Sequence, residues 1–126
     1  MRAVDTNVLV RLLTRDDAAQ TAAAERFVAR GAWVPHLALA ETTWVLSSVY
    51  NRNPRDIAAA IDMLLSHDQL TLQDADAIAA ALHHYRQRPR LGFSDCLALE
   101  LARKAGHLPL GTFDRSLGTL EGTERL

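Results

Sequence analysis

Apolar positions alternate along the chain between short runs and longer stretches with helical period. The short runs predict strands at residues 2–5, 33–34, 70–72, 109–112 and 123–125. Residues 18–30 predict a helix, with Ala19, Ala23, Arg26 and Phe27 at helical spacing and Gly31 as its stop. Asn53, Pro54 and Asp56 read as N-cap, first helical position and early acid. Behind them Ile57, Ala60, Ile61, Leu64 and Leu65 share one face. Asp74 or Asp76 opens the next helix, with Ala77, Ile78, Ala81, Leu82 and Tyr85 as its buried stripe. Ser94 is expected to cap a helix that ends at Arg103, Lys104 and Gly106. Strands alternating with helices, without repeats or a long linker, predict an α/β sandwich around a mostly parallel sheet.

Four acids stand at the ends or on the inner faces of these apolar segments: Asp5, Glu41, Asp95 and Asp114. Asp5 lies where the first strand hands over to a helix, at the strand end where open α/β sheets place their sites. Glu41 has Leu37, Trp44 and Val45 as helical neighbours, so it is expected as a carboxylate set into an apolar stripe. Burial there calls for a partner such as Arg11, a metal or a water pocket. Asp95 projects from the first turn of its helix, and Asp114 follows the late strand. Three of the acids have a plainer role open to them, a helix-dipole acid at Asp95, a loop acid at Asp114 and an N-cap at Asp5, while Glu41 has none. If the four converge, repulsion of about 4 kcal/mol for a close pair at intermediate dielectric calls for a hard divalent cation.

Composition narrows the class. With 126 residues, 48% of them hydrophobic, the chain is long enough for one domain with a real core. No segment approaches a membrane span and the N-terminus lacks the apolar stretch of a secretory signal, so a cytoplasmic protein is expected. The single cysteine, Cys96, excludes an internal disulfide and a thiolate metal cluster; on an Ala/Leu helix it reads as a small core residue. A net charge of −1 offers no protein-wide attraction for nucleic acid, so any RNA footprint must be local.

Asp5-Thr6-Asn7, Glu41 within a helix, Asp95 after Ser94, and Thr112-Phe113-Asp114 after a late strand together resemble the motif set of the PIN-domain ribonucleases. Their order over a chain of this length is most similar to the VapC-type toxins of toxin-antitoxin pairs. Residues 50–89 carry no motif of that family. The resemblance implies one PIN-like domain over residues 1–126, a three-layer α/β/α sandwich with a short, mostly parallel central sheet. It implies a metal-dependent endoribonuclease in which Asp5, Glu41, Asp95 and Asp114 hold Mg2+ or Mn2+ and a metal-activated water cleaves the phosphodiester. Thr112 matches the hydroxyl position of the late motif and would orient a water or Asp114, with Thr6 and Asn7 as supporting donors or as ties in the strand-helix turn. The implied partners are RNA, a VapB-type antitoxin and a second copy in a homodimer. Helices rich in Ala and Leu, with more apolar face than a small sheet covers, agree with a homodimer or a bound helix.

Arg86, Arg88 and Arg90 are the best local RNA contacts, because they run into the Asp95 segment; Arg11 and Arg15 are a second set. Adjacent His83 and His84 point apart on a helix and are poor metal ligands. Two other classes stay open. A phosphotransfer protein would use Asp5 as phosphoacceptor, but Asn7 stands where a second acid is wanted and Lys104, the lone lysine, lies in a helix. A non-catalytic PIN-fold binding module would use the acids to grip a basic peptide.

Overall fold

Arg2–Ala3 (β1), Ala32–Val34 (β2) and Leu70–Leu72 (β3) pair in parallel in the order β1-β2-β3 in the computed structural model, which describes residues 1–126. Ala32 stands opposite Leu70, and Val34 opposite Leu72. Parallel neighbours need crossovers, and helices supply them. Thr6–Thr14 (α1) and Ala18–Val28 (α2) join β1 to β2, while His36–Ser48 (α3) and Pro54–Ser66 (α4) join β2 to β3. Period-two burial sends Ala32, Val34, Leu70 and Leu72 inward. Leu9, Leu39, Ile61 and Leu64 are buried among them, each worth about 1.5–3 kcal/mol on transfer from water.

This first assembly, Met1–Ala75, is one of two compact units. The other, Asp76–Leu126, carries nearly all of Ala75–Gln87 (α5), then Phe93–Ala105 (α6), Leu110–Thr112 (β4) and Thr123–Arg125 (β5). Short 3-10 turns lie at Pro89–Leu91 and Leu117–Thr119, and β4 pairs with β5 in parallel. The buried stripe of α5 is Ala77, Ile78, Ala81, Leu82 and Tyr85, as its spacing predicts. Tyr85 meets the ring of Phe93 edge-on. Every strand pairing is parallel, but the strands form a three-stranded and a two-stranded sheet where one short central sheet was expected.

Caps explain most helix boundaries. Asp5 and Asp17 accept from the main-chain N–H groups of Val8 and Gln20, and Asn53 accepts from Asp56 ahead of Pro54. α2 forms as its spacing predicts and buries Thr21, Ala24 and Val28, while Ala19, Ala23 and Arg26 face solvent. One expectation fails for a local reason. α6 begins at Phe93 and not after Ser94: Gly92 turns the chain at φ +75°, which its lack of a Cβ permits, and Phe93 is buried as the first helical residue. Ser94 lies inside the first turn and Gly106 closes the helix in the left-handed conformation.

Candidate metal centre

Unit 1 carries one pair of candidate acids beyond the ends of β1 and β2. Asp5 follows the β1 edge and caps α1: its Oδ1 accepts from the Val8 N–H at 3.2 Å, leaving Oδ2 free. Thr6, the first residue of α1, donates its hydroxyl to Glu41 Oε2 at 2.8 Å. Asp5 and Glu41 are both exposed. This corrects the expectation of a buried Glu41. The inward face of α3 is Ala38, Leu39, Thr42, Thr43 and Leu46, so Leu37 and Trp44 share the solvent side with Glu41. α3 is apolar on almost every side, and spacing alone does not say which side turns inward.

Arg11 does not pair with Glu41 either. Its guanidinium bonds Asp16 at 3.1 Å, the Tyr50 hydroxyl at 3.2 Å and the Gln20 side chain. Tyr50 in turn donates to Asp16 at 2.7 Å, and these bonds hold the Asp16 carboxyl below its usual range. Arg15 is bound to Glu25. Both arginines are thus paired with acids within the unit. Asn7 is exposed and lines a shallow cavity with Arg11 and Phe27.

Unit 2 gathers a second carboxylate pair. Asp95 sits in the first turn of α6, where the helix dipole favours an acid, yet its carboxyl is pushed above the usual value, by burial first and then by the charge of Asp114. Asp114 is fixed by main-chain bonds: its Oδ1 accepts from the Leu117 N–H at 2.8 Å. The Thr112 hydroxyl accepts from the Asp114 N–H at 3.0 Å. Thr112 therefore shapes the loop that bears Asp114 through a bond to its backbone N–H. Cys96 is wholly buried and its thiol is raised to about 11, chiefly by burial, in keeping with a core role.

None of the four acids makes an ion pair, although the other acids of α5 and α6 do: Asp76 with Lys104, and Glu100 with His84 and Arg103. Within neither unit do three or more His, Cys, Asp or Glu side chains gather to hold a metal ion. The donor set nevertheless suits a hard cation, being all oxygen, ionisable and supplied with free lone pairs. An acid raised by a like charge is itself a place where a cation lowers the energy.

The supporting residues divide. Arg88 and Arg90 line one cavity of unit 2, and Arg86 is outside its lining. Arg115, on the loop after Asp114, lines the same cavity and was missed, since nothing local in the sequence marks it. Phe113 was also passed over as a residue in its own right. It is 81% exposed, and Trp44 on the Glu41 face is 65% exposed, so each carboxylate pair has a bare aromatic beside it in the chain. An aromatic next to a candidate acid at a strand end was the available signal. No helix is long and apolar enough to cross a membrane.

The PIN domain family model matches residues 2–121. Neither the curated proteins nor the solved structures compared with the chain gave a match. Six helices and short parallel sheets are consistent with the PIN-like α/β/α fold, and PIN domains are generally nucleases that use divalent metals. With nearly its whole length matched, the chain belongs to the PIN domain family.

Proposed function

We propose that this chain is a metal-dependent endoribonuclease, a single domain whose candidate ligands for Mg2+ or Mn2+ are Asp5 and Glu41 in the first unit and Asp95 and Asp114 in the second. The observation that carries this is four exposed carboxylates, two in each unit, none of which makes an ion pair, whereas Asp16, Glu25, Asp76 and Glu100 do. When bound, a divalent cation supplies Lewis acidity, lowering the pKa of a water and offsetting phosphate charge as the phosphodiester is cut. Thr6 aims the Glu41 carboxylate by donating to one of its oxygens. Asp5 keeps one oxygen for α1 and one for the site. Thr112 and the Leu117 N–H hold the Asp114 loop so that its charge stays near Asp95. Asn7 adds an exposed donor at the start of α1.

The finer assignment is a VapC-type toxin, active in the cytoplasm, paired with a VapB-type antitoxin and assembled as a homodimer. It is supported by the order of the motifs and by Leu37 and Trp44, large apolar side chains bare on the outer face of α3. The test is to incubate the purified chain with total cellular RNA in Mg2+ or Mn2+, beside EDTA and Asp5→Asn controls, and to map the new ends. Discrete cuts with 5′-phosphates that need both metal and Asp5 are expected. Metal binding by a folded chain with no cleavage of any RNA would replace this function with that of a binding module.

A further inference from the structure

Three arginines of unit 2 face one cavity of about 410 Å3: Arg88 from the end of α5, Arg90 from the 3-10 turn, and Arg115 from the loop after β4. Ser116 and Thr119 add hydroxyls, and no acidic side chain lines it. The Arg88 guanidinium donates to the Thr119 hydroxyl, which itself donates to the Ser116 carbonyl at 2.7 Å, so Arg88 is held in place. Arg90 and Arg115 make no hydrogen bond and no ion pair. This contrasts with Arg11, Arg15 and Arg103, all of which have acidic partners. Like charges converging without an acid leave donor forks unsatisfied, and the planar guanidinium fork matches phosphate oxygens.

We infer that Arg88, Arg90 and Arg115 form a phosphate-binding subsite that holds one backbone phosphate of the RNA beside the Asp95 and Asp114 pair. The inference rests on the ribonuclease function proposed above. Arg115 directly follows Asp114 in the chain, so one short loop carries both a candidate metal ligand and a phosphate contact. A compact cavity with three cations suits a single group rich in oxygens and charge better than carboxylates strung along a helix. Because phosphates are the same at every nucleotide, the subsite contributes affinity and leaves base preference and the choice of cleavage position to other residues.

The experiment measures binding of a fluorescent single-stranded RNA to the Asp95→Asn chain in EDTA over a salt series, with and without Arg90→Gln and Arg115→Gln. Circular dichroism and thermal melts verify that each variant is folded. Loss of the hold on that one phosphate of a single strand should make the slope of log K against log salt shallower by about 0.7, and binding should weaken alike for unrelated sequences. Arg90→Lys with Arg115→Lys should restore most of the slope but less of the affinity, since the charge returns without the fork. In the chain with Asp95 intact, the glutamine variants should cut at unchanged positions with a raised KM. Unchanged slope and affinity in folded glutamine variants, while the parent chain still cleaves RNA, would remove the subsite and leave the ribonuclease standing. A parent chain that neither binds nor cleaves any RNA would overturn both. Arginine-dependent binding of poly-glutamate with RNA binding unaffected would overturn the inference and give the cavity to an acidic protein.

Discussion

The Thr6 hydroxyl and Glu41 Oε2 lie 2.8 Å apart, joining the first residue of α1 to the middle of α3. The bond is made to a carboxylate, so it is charge-assisted and worth about 1.5–3 kcal/mol when shielded from water, and much less at this exposed place. Its larger effect is directional. Of all the rotamers open to an exposed Glu41, it selects one.

Thr6→Val should therefore leave the fold intact and loosen the metal site. Removing a residue that orients a metal ligand lowers affinity by roughly 10–100-fold, and Thr6→Ser should keep most of it. Calorimetric titration with Mn2+ would measure this beside a thermal melt. Equal affinity in Thr6→Val would mean that Glu41 needs no such anchor.

Asp95 predicts a pH dependence. Burial and then Asp114 raise its folded-state pKa, although the start of α6 favours an acid. A carboxyl whose folded pKa is raised supports the fold fully below its unfolded value of about 3.9 and loses that support as pH rises through the folded value. At neutral pH, without metal, Asp95→Asn should raise the melting temperature, and the gain should fade as pH falls through the raised folded value and be gone by pH ~4. Asp114→Asn should give a smaller gain. Both should abolish metal-dependent cleavage. Melts of both variants across pH would check the sign, and a neutral-pH loss of stability in Asp95→Asn would refute it.

Glu100 provides a contrast, being an acid used for structure. Only 8% exposed, it meets His84 Nε2 at 3.3 Å and accepts from Arg103 Nε at 2.9 Å. Glu100→Ala should cost on the order of 2 kcal/mol in urea unfolding, since charged hydrogen bonds are lost from a largely buried site. Metal affinity should be unaffected in the folded fraction. A matching fall in metal affinity would place Glu100 in the functional site.

The Cys96 thiol is wholly buried and raised to about 11. Iodoacetamide at pH 8 should leave it unmodified in the folded chain and alkylate it once urea unfolds the protein. Rapid labelling under native conditions would show that α6 opens locally at that turn.

Much of this fold was legible because its signals are local. Leu70–Leu72 and Thr123–Arg125 read directly as strands, Asn53-Pro54 announces α4, and the spacing of Ala77, Ile78, Ala81, Leu82 and Tyr85 gives the inward face of α5. Motif order likewise picked out Asp95 and Asp114, which the structure brings near each other, and Thr6, which it brings to Glu41. What failed depends on tertiary choice. α3 has apolar residues all round, so only packing reveals that Ala38 and Leu39 go in while Leu37 and Trp44 stay out. Arg115 joins Arg88 and Arg90 across a gap in sequence that no periodicity spans. Splitting of the parallel strands into two sheets is also a matter of long-range pairing.

Phe113 offers a last test of how RNA is held. Between Thr112 and Asp114, and 81% exposed, its ring supports no core, so Phe113→Ala should scarcely change stability. Single-stranded nucleic acid commonly lays a base on such a ring, at about 1–3 kcal/mol per stacked base. Phe113→Ala should thus weaken binding of single-stranded RNA to the Asp95→Asn chain by roughly 5–150-fold, the same energy expressed as affinity, without altering the salt slope. The unchanged slope separates this loss from that of an arginine, because stacking releases no counterions. Equal affinity in Phe113→Ala would leave the ring as surface for a protein partner and rest the hold on RNA upon the arginines alone.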